Sequence, residues 1–355
     1  MRIETKKIKG AILVEAALIL VLAIRLWHGE TGREKVVETA ADYIKWVDFN
    51  VSYEALCKAY EYDVATYDSD IHLDWIDLLA YAAAKNGGSF GVGAAGEIRE
   101  TAEKLIAGET TMKALTEKLK YYDYYKEAYT AVLGGFVGEY EIQEKEGGAY
   151  VKKYGIKAFS PIAKGFPYSD YDDFGVSRNY GYQRQHLGHD MMGQVGTPII
   201  AAESGRVEAL GWNQYGGWRI GIRSFDGKRY YYYAHLRQNY PYQEKLKEGD
   251  VVTAGEVIGY MGHTGYSTKE NVNNIDQVHL HFGLQLIFDE SQKEGNNEIW
   301  IDCYNLTKFL SKNRSEVYKV EGTKEWKRVL DMKEEAAEKA REEAEAGSKT
   351  KEKEN

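Results

Sequence analysis

Cysteine is nearly missing from this sequence: its 355 residues include only Cys57 and Cys303. That excludes a disulfide framework and a cysteine-rich zinc ribbon, and it leaves open whether the two pair. Proline is scarce, at 4 residues, so no proline-rich linker or stalk is present. Positive charge is not in excess: 46 Lys and Arg against 55 Asp and Glu give a net charge of −9. Little in such a chain draws a phosphate backbone, and nucleic acid is not expected as a partner. There is one long apolar run and no second, which excludes a multi-span membrane protein. What the chain has in quantity is 36 glycines and 29 tyrosines, a mixture suited to turn-rich β structure.

The one apolar run lies at the start. Residues 1–9, MRIETKKIK, carry Arg2, Lys6, Lys7 and Lys9 against Glu4, and GAILVEAALILVLAIRLW follows. A basic flank before an apolar run is a membrane-insertion signal, with the positive side left in the cytoplasm. The run is short for a span and Glu15 interrupts it. Glu15, however, lies toward the cytoplasmic edge, where a carboxylate costs less, and Arg25 can snorkel beside Trp27. An uncleaved anchor over 10–28 is therefore expected ahead of a cleaved signal peptide or a buried core helix. A tolerable cleavage site, Val21-Leu22-Ala23, falls inside the run, which weakens the signal-peptide reading. The expectation is a single-pass protein of the cell membrane, with a cytoplasmic tail at 1–9 and the rest extracytoplasmic.

Beyond the run the chain reads as α+β. Residues 29–148 form a helical domain in this reading. DWIDLLAYAAAK (74–85) has apolar residues at helical period and stops at Asn86-Gly87-Gly88. Within 121–136, Tyr121, Tyr124, Tyr125 and Ala128 fall on one face, taken as a packing face. Residues 149–312 change to short β-branched or aromatic runs split by glycine turns, an antiparallel β domain. Asp226-Gly227 between strand-like flanks predicts a hairpin with a tight primed turn. GTPIIAAESGRVEALG (196–211) and GDVVTAGEVIGYMG (249–262) echo each other, and such a duplicated unit would leave a groove between its halves. Residues 313–355 turn polar; 331–355 offers no apolar face and is expected to be a charged mobile tail.

The chemistry sits in the histidines. Of 8, six fall between 186 and 281, in the phrases HLGHD (186–190), YAHL (233–236), His263 and HLHF (279–282). On a strand, His279 and His281 project to one face while Leu280 and Phe282 face the core. Two imidazoles that close are not both comfortable protonated, and a cation beside them resolves the conflict. His186 and Asp190 flank a glycine turn that can swing both side chains toward one point. One carboxylate oxygen, two imidazole nitrogens and an open position make a catalytic-type zinc site, whose water is acidified by the metal. HExxH is not present, so a zincin helix is not its source.

With the glycine-rich phrases between them, these motifs resemble the lysostaphin-type (LytM-like) zinc metallopeptidases, over roughly 180–285. The resemblance implies a small antiparallel β domain with a duplicated motif and a zinc ion at the floor of a narrow groove. It implies hydrolysis of stem-peptide or cross-bridge bonds of bacterial peptidoglycan, with Zn2+ as cofactor. Carried over position by position, it places the metal ligands at His186, Asp190 and His281 and the catalytic histidines at His235 and His279. In the implied mechanism His279 takes the proton of the water, and His235 donates to the developing oxyanion. The chain departs from the family pattern around Lys269–Gln277, where polar residues are inserted before the histidine pair and are expected to form a loop at the groove's rim. His189 stands where the family prefers an apolar residue. His189 and His263 are read as non-ligands, His28 and His72 as lone histidines, and Tyr233 as packing. The rival reading is a zinc-binding scaffold or an activator of other hydrolases in an envelope assembly.

Overall fold

The computed structural model describes residues 43–354 apart from 180–182 and 296. The expected tail at 1–9 and anchor at 10–28 lie outside the described residues. Among the described residues no helix is long and apolar enough to cross a membrane.

Helices come first, as the periodicity predicts: Tyr53–Thr66, Trp75–Asn86, Ala94–Ile106, the short Met112–Thr116, and Tyr122–Leu133. Local signals set their ends. The Asp74 side chain accepts from the amides of Ile76 and Asp77, and Gly87 closes the same helix at φ +59, a conformation only glycine takes cheaply. The tyrosine face is offset from the expectation. Tyr122, Tyr125, Ala128 and Tyr129 are buried, whereas Tyr121 is exposed because it is the residue before the helix begins.

The β half is built on an eight-stranded antiparallel sheet. Its order is Val251–Val252, Gly205–Asn213, Gly217–Ser224, Arg229–Ala234, His279–Leu286, His189–Met192 and Ser169–Asp170, with Ile299–Ile301 beside the far end of His279–Leu286. The two echoing segments pair with each other twice. Pro198–Ile200 lies against Val257–Tyr260, and Gly205–Asn213 against Val251–Val252. The Asp226-Gly227 hairpin forms, but through a four-residue connection, Phe225–Lys228, rather than a two-residue primed turn. Asp226 takes hydrogen bonds from the Ser224 hydroxyl at 2.6 Å and the Lys228 amide at 3.0 Å, which fixes the longer loop.

The boundary expected at 148/149 is neither a change of secondary structure nor one of packing: the first run of helices ends at Leu133, and strand Val137–Gln143, within the expected helical domain, pairs with Tyr150–Ile156 across it. Residues from Ile44 onward form one compact unit, and one hydrophobic core runs from Val47 through Leu310. Helix Tyr304–Leu310 follows the sheet yet packs among the first helices, with the Phe309 ring centroid 5.5 Å from those of both Tyr60 and Trp75. Arg229 joins the halves by charge. Its guanidinium is buried, donates to Glu203 at 2.7 and 3.0 Å, and reaches the Ala131 carbonyl at 2.8 Å, in the last turn of helix Tyr122–Leu133. Removing one member of a buried, hydrogen-bonded ion pair leaves an uncompensated charge. Arg229→Ala is therefore expected to lower unfolding free energy by about 3–5 kcal/mol in a denaturant titration; a loss within experimental error would show that the clamp does not hold the halves together.

Residues 313–355 are not a free tail. Val317–Lys319 and Trp326–Arg328 form a hairpin, Met332–Lys333 pairs with strand Val137–Gln143, and a helix runs Glu335–Glu354. Few apolar residues are needed: Met332, Ala337 and Ala340 are buried. Charges supply the rest, with Glu334 taking Lys157 at 2.8 Å and the Ser204 hydroxyl, and Arg341 reaching Thr253 at 2.7 Å.

Candidate metal centre

Strand register brings the third histidine cluster to the first. His279–Leu286 pairs on one side with His189–Met192, which puts His281 opposite Asp190. On the other side it pairs with Arg229–Ala234, which puts His281 opposite Ala234. Opposed residues of antiparallel strands share a face, so Asp190 and His281 meet by register alone, and His279 lies on that face two residues away. His186 reaches the same point from the turn before Asp190. Gly188 in that turn has no room for a side chain: a Cβ would sit 2.5 Å from His281 Cε1.

The three atoms that converge are His186 Nε2, Asp190 Oδ1 and His281 Nδ1. Their separations are 3.0 Å, 2.9 Å and 3.1 Å around the triangle. Tetrahedral zinc with ligands at about 2.0–2.1 Å separates its donor atoms by about 3.3 Å, so the triangle is a slightly contracted face of such a site. The donor chemistry also fits. Burial works to raise the Asp190 pKa, but the histidines around it outweigh burial and hold the carboxyl well below the usual range. Burial pushes the His281 pKa down, against the pull of Asp190. Two imidazole nitrogens and a carboxylate are donors that suit zinc, and two ring nitrogens facing each other at 3.1 Å are drawn together by a cation between them. The residues predicted as ligands are thus together and fit the metal.

Two residues at this site were not among the sequence candidates. Asp173 Oδ1 accepts from His186 Nδ1 at 3.0 Å, which fixes the tautomer that leaves Nε2 as donor atom. Arg178 ties the pair down, donating to Asp190 Oδ2 at 2.7 Å and to Asp173 Oδ2. Asp173 comes from the polar stretch before the hairpin of Ser177–Asn179 with Gln183–Gln185, and Arg178 from the first strand of that hairpin, which folds back over the turn. Only an acid upstream of a histidine ligand, the usual partner of a metal-bound imidazole, could have hinted at Asp173. Asp173→Ala is expected to weaken zinc binding about 10–100-fold, read by competition with a chromogenic chelator; unchanged affinity would remove the orienting role.

His235 and His279 stand beside the triangle, with ring centroids 4.7 Å apart. His279 Nε2 lies 3.7 Å from Asp190 Oδ2. His235 takes a left-handed conformation, φ +61, held by its amide on the Gly216 carbonyl at 2.8 Å and by its carbonyl, which accepts from Gly262 at 3.1 Å. Carbonyl oxygens only accept, so two contacts assign the protons: His279 Nδ1 donates to Gln277 at 2.9 Å, and His235 Nδ1 donates to Thr264 at 2.9 Å. With its one ring proton so placed, each imidazole presents Nε2 as an acceptor. Burial, with His279 and His281 close by, pushes the His235 pKa well down. A neutral ring of this tautomer cannot donate through Nε2, so the expected oxyanion-donor role does not follow from the geometry.

The other expectations resolve as follows. His189 points to the opposite face, buried, with Nε2 2.9 Å from Asp170 Oδ2. His263 Nδ1 donates to the Ile275 carbonyl at 2.7 Å. His72 contacts Asp63 at 3.2 Å, and His28 lies outside the described residues. Tyr233 is buried, and its hydroxyl accepts from the Ala202 amide at 2.9 Å. Cys57 and Cys303 are both free. The inserted stretch does border the site. Tyr266, Asn274, Asp276 and Gln277 line a cleft of about 1070 Å³ that includes Asp190 and His279. Asn271 anchors that stretch by accepting from the Trp218 indole and the Asn239 amide, each at 2.9 Å. A second cleft, of about 710 Å³, opens beside His186 and His281.

Residues 184–294 match the family model described as Peptidase family M23. The chain is 38% identical over 117 residues to the L-Ala–D-Glu endopeptidase of Bacillus subtilis, which is 33% of this chain and 34% of that protein. It is 38% identical over 120 residues to lysostaphin of Staphylococcus simulans, 34% of this chain and 20% of that protein. The chain thus spans about a third or less of the length of these curated relatives. Among solved structures, a LytM-like protein of Ruminococcus gnavus, described as a candidate glycyl-glycine endopeptidase, aligns over 74% of this chain and 89% of its own. Its TM-score is 0.49 at 25% identity. The catalytic domain of S. simulans lysostaphin aligns over 40% of this chain and 92% of its own, with a TM-score of 0.32 at 32% identity.

Proposed function

Because the chain belongs to peptidase family M23 through residues 184–294, we propose that it is a zinc metalloendopeptidase that hydrolyses peptide bonds of bacterial peptidoglycan, in stem peptide or cross-bridge. The observation that carries this reading is the triangle of His186 Nε2, Asp190 Oδ1 and His281 Nδ1, with two more imidazoles beside it. When bound there, zinc supplies a Lewis acid that polarises the scissile carbonyl and makes water a nucleophile near neutral pH.

The chain's own residues do the rest. His279 accepts the proton of the attacking water at Nε2 and delivers it to the leaving amine. His235, neutral and fixed on Thr264, accepts a hydrogen bond through its own Nε2 and orients that water. Asp173 and Arg178 hold His186 and Asp190 in place. The cleft of about 1070 Å³ is open to an extended peptide, and its inserted rim is the part that selects among substrates. The basic residues of 1–9 and the apolar run at 10–28 support an anchored, extracytoplasmic enzyme facing the wall.

The test is incubation of the full chain with purified peptidoglycan, with and without chelator, followed by mass spectrometry of the released peptides. Cleaved peptide bonds that vanish with chelator and return with zinc are expected. A zinc-loaded chain that releases nothing would favour the scaffold reading instead.

A further inference from the structure

The cleft beside His186 and His281 contains an arginine, Arg219, for which no ion pair forms among the described residues. Arg219 lies on the same sheet face as the metal ligands. His281 and Gly283 share that face, Gly283 is opposite Tyr232, Tyr232 is opposite Gly221, and Arg219 is two residues from Gly221. Arg219 lines the cleft of about 710 Å³, whose wall also holds His186, His281 and Tyr232. Its half-buried side chain has a buried Nε with no hydrogen-bond partner among the described residues. Arg223, two residues on, shows the ordinary alternative: Glu208 holds it at 2.7 Å. The acids of the cleft are committed elsewhere or exposed. Glu208 serves Arg223 and Lys293, Glu298 takes the Trp300 indole at 2.7 Å, and Glu294 is exposed. A buried guanidinium nitrogen without a partner is costly, and a planar carboxylate is the ligand the guanidinium fork fits best.

We propose that this cleft is a carboxylate subsite, with Arg219 as its anchor, that takes an anionic group of the peptide whose scissile bond lies over the metal ligands. The inference rests on the peptidase reading and deepens it: stem peptides bearing free carboxylates are the preferred substrates, and their amidated forms are disfavoured.

The experiment is a calorimetric titration of the zinc-loaded full chain carrying His279→Ala, with a short synthetic stem-type peptide and with the same peptide after its carboxylates are converted to carboxamides. The carboxylate form is expected to bind at least about tenfold more tightly, as suits a charge-assisted bidentate contact. Adding Arg219→Gln should erase that difference while leaving the amide's affinity unchanged, and Arg219→Lys should keep part of it. Equal affinity for the two peptides, binding of neither, or an Arg219→Gln effect on both alike would each overturn the subsite. Assaying the same peptides with the unsubstituted chain separates the two readings. Carboxylate-dependent binding without any cleavage would remove the peptidase and keep the subsite, whereas cleavage indifferent to amidation would do the reverse.

Discussion

A chain with His281→Ala is expected to retain its fold and lose both stoichiometric zinc and peptide hydrolysis. His281 is the hub of the site. Its Nδ1 is one corner of the triangle, 2.9 Å from Asp190 Oδ1 and 3.1 Å from His186 Nε2. Strand pairing fixes it from two sides, and the bare backbone of Gly188 makes room for its ring. Without it, two donors remain, fewer than the three protein ligands a catalytic zinc keeps. Metal analysis after dialysis and a wall-digestion assay check the two losses together. Zinc retained at one equivalent would contradict the ligand set, and activity retained without zinc would contradict the metal's role.

His279→Ala should separate those two outcomes. His279 stands outside the triangle and is oriented through Nδ1 by the Gln277 carbonyl, so the alanine variant is expected to keep its zinc. Turnover is expected to fall by about 10²–10⁴-fold, the scale of a positioned general base, with a much smaller change in KM. Metal content unchanged beside full activity would remove His279 from the proton transfers. Loss of zinc in this variant would instead make it part of the metal's own support.

Much of the site was legible because its chemistry comes in short spacings. His279 and His281 alternate on a strand, and His186 and Asp190 flank a short turn; both are visible in local spacing. Asp173 and Arg178 were not legible. Each is a charged residue in a polar stretch, and only the pairing of Ser177–Asn179 with Gln183–Gln185 puts them beside His186 and Asp190. The roles of the histidines were only partly legible. The proton that His235 places on the Thr264 carbonyl depends on a backbone turn at φ +61 that no spacing announces. The C-terminal stretch was misread because periodicity looks for apolar stripes, whereas its apolar contacts, through Val317, Trp326, Met332, Ala337 and Ala340, are few and scattered and ion pairs add to them. The same limit applies to the 148/149 boundary. A shift of composition missed the polar strand Val137–Gln143, which already belongs to the β half, and says nothing about whether side chains from both sides interlock.

The shared interior of helices and sheet bears on how such a protein can be inherited. Grafting its β portion alone onto another ancestor would strip Phe309 of Tyr60 and Trp75 and leave Arg229 without the helix end it holds. Recombination breakpoints near residue 149 should therefore be purged by selection, and descendants of this gene should carry both halves or neither, diverging instead at the Asn271-tethered rim, where exchange disturbs no ligand.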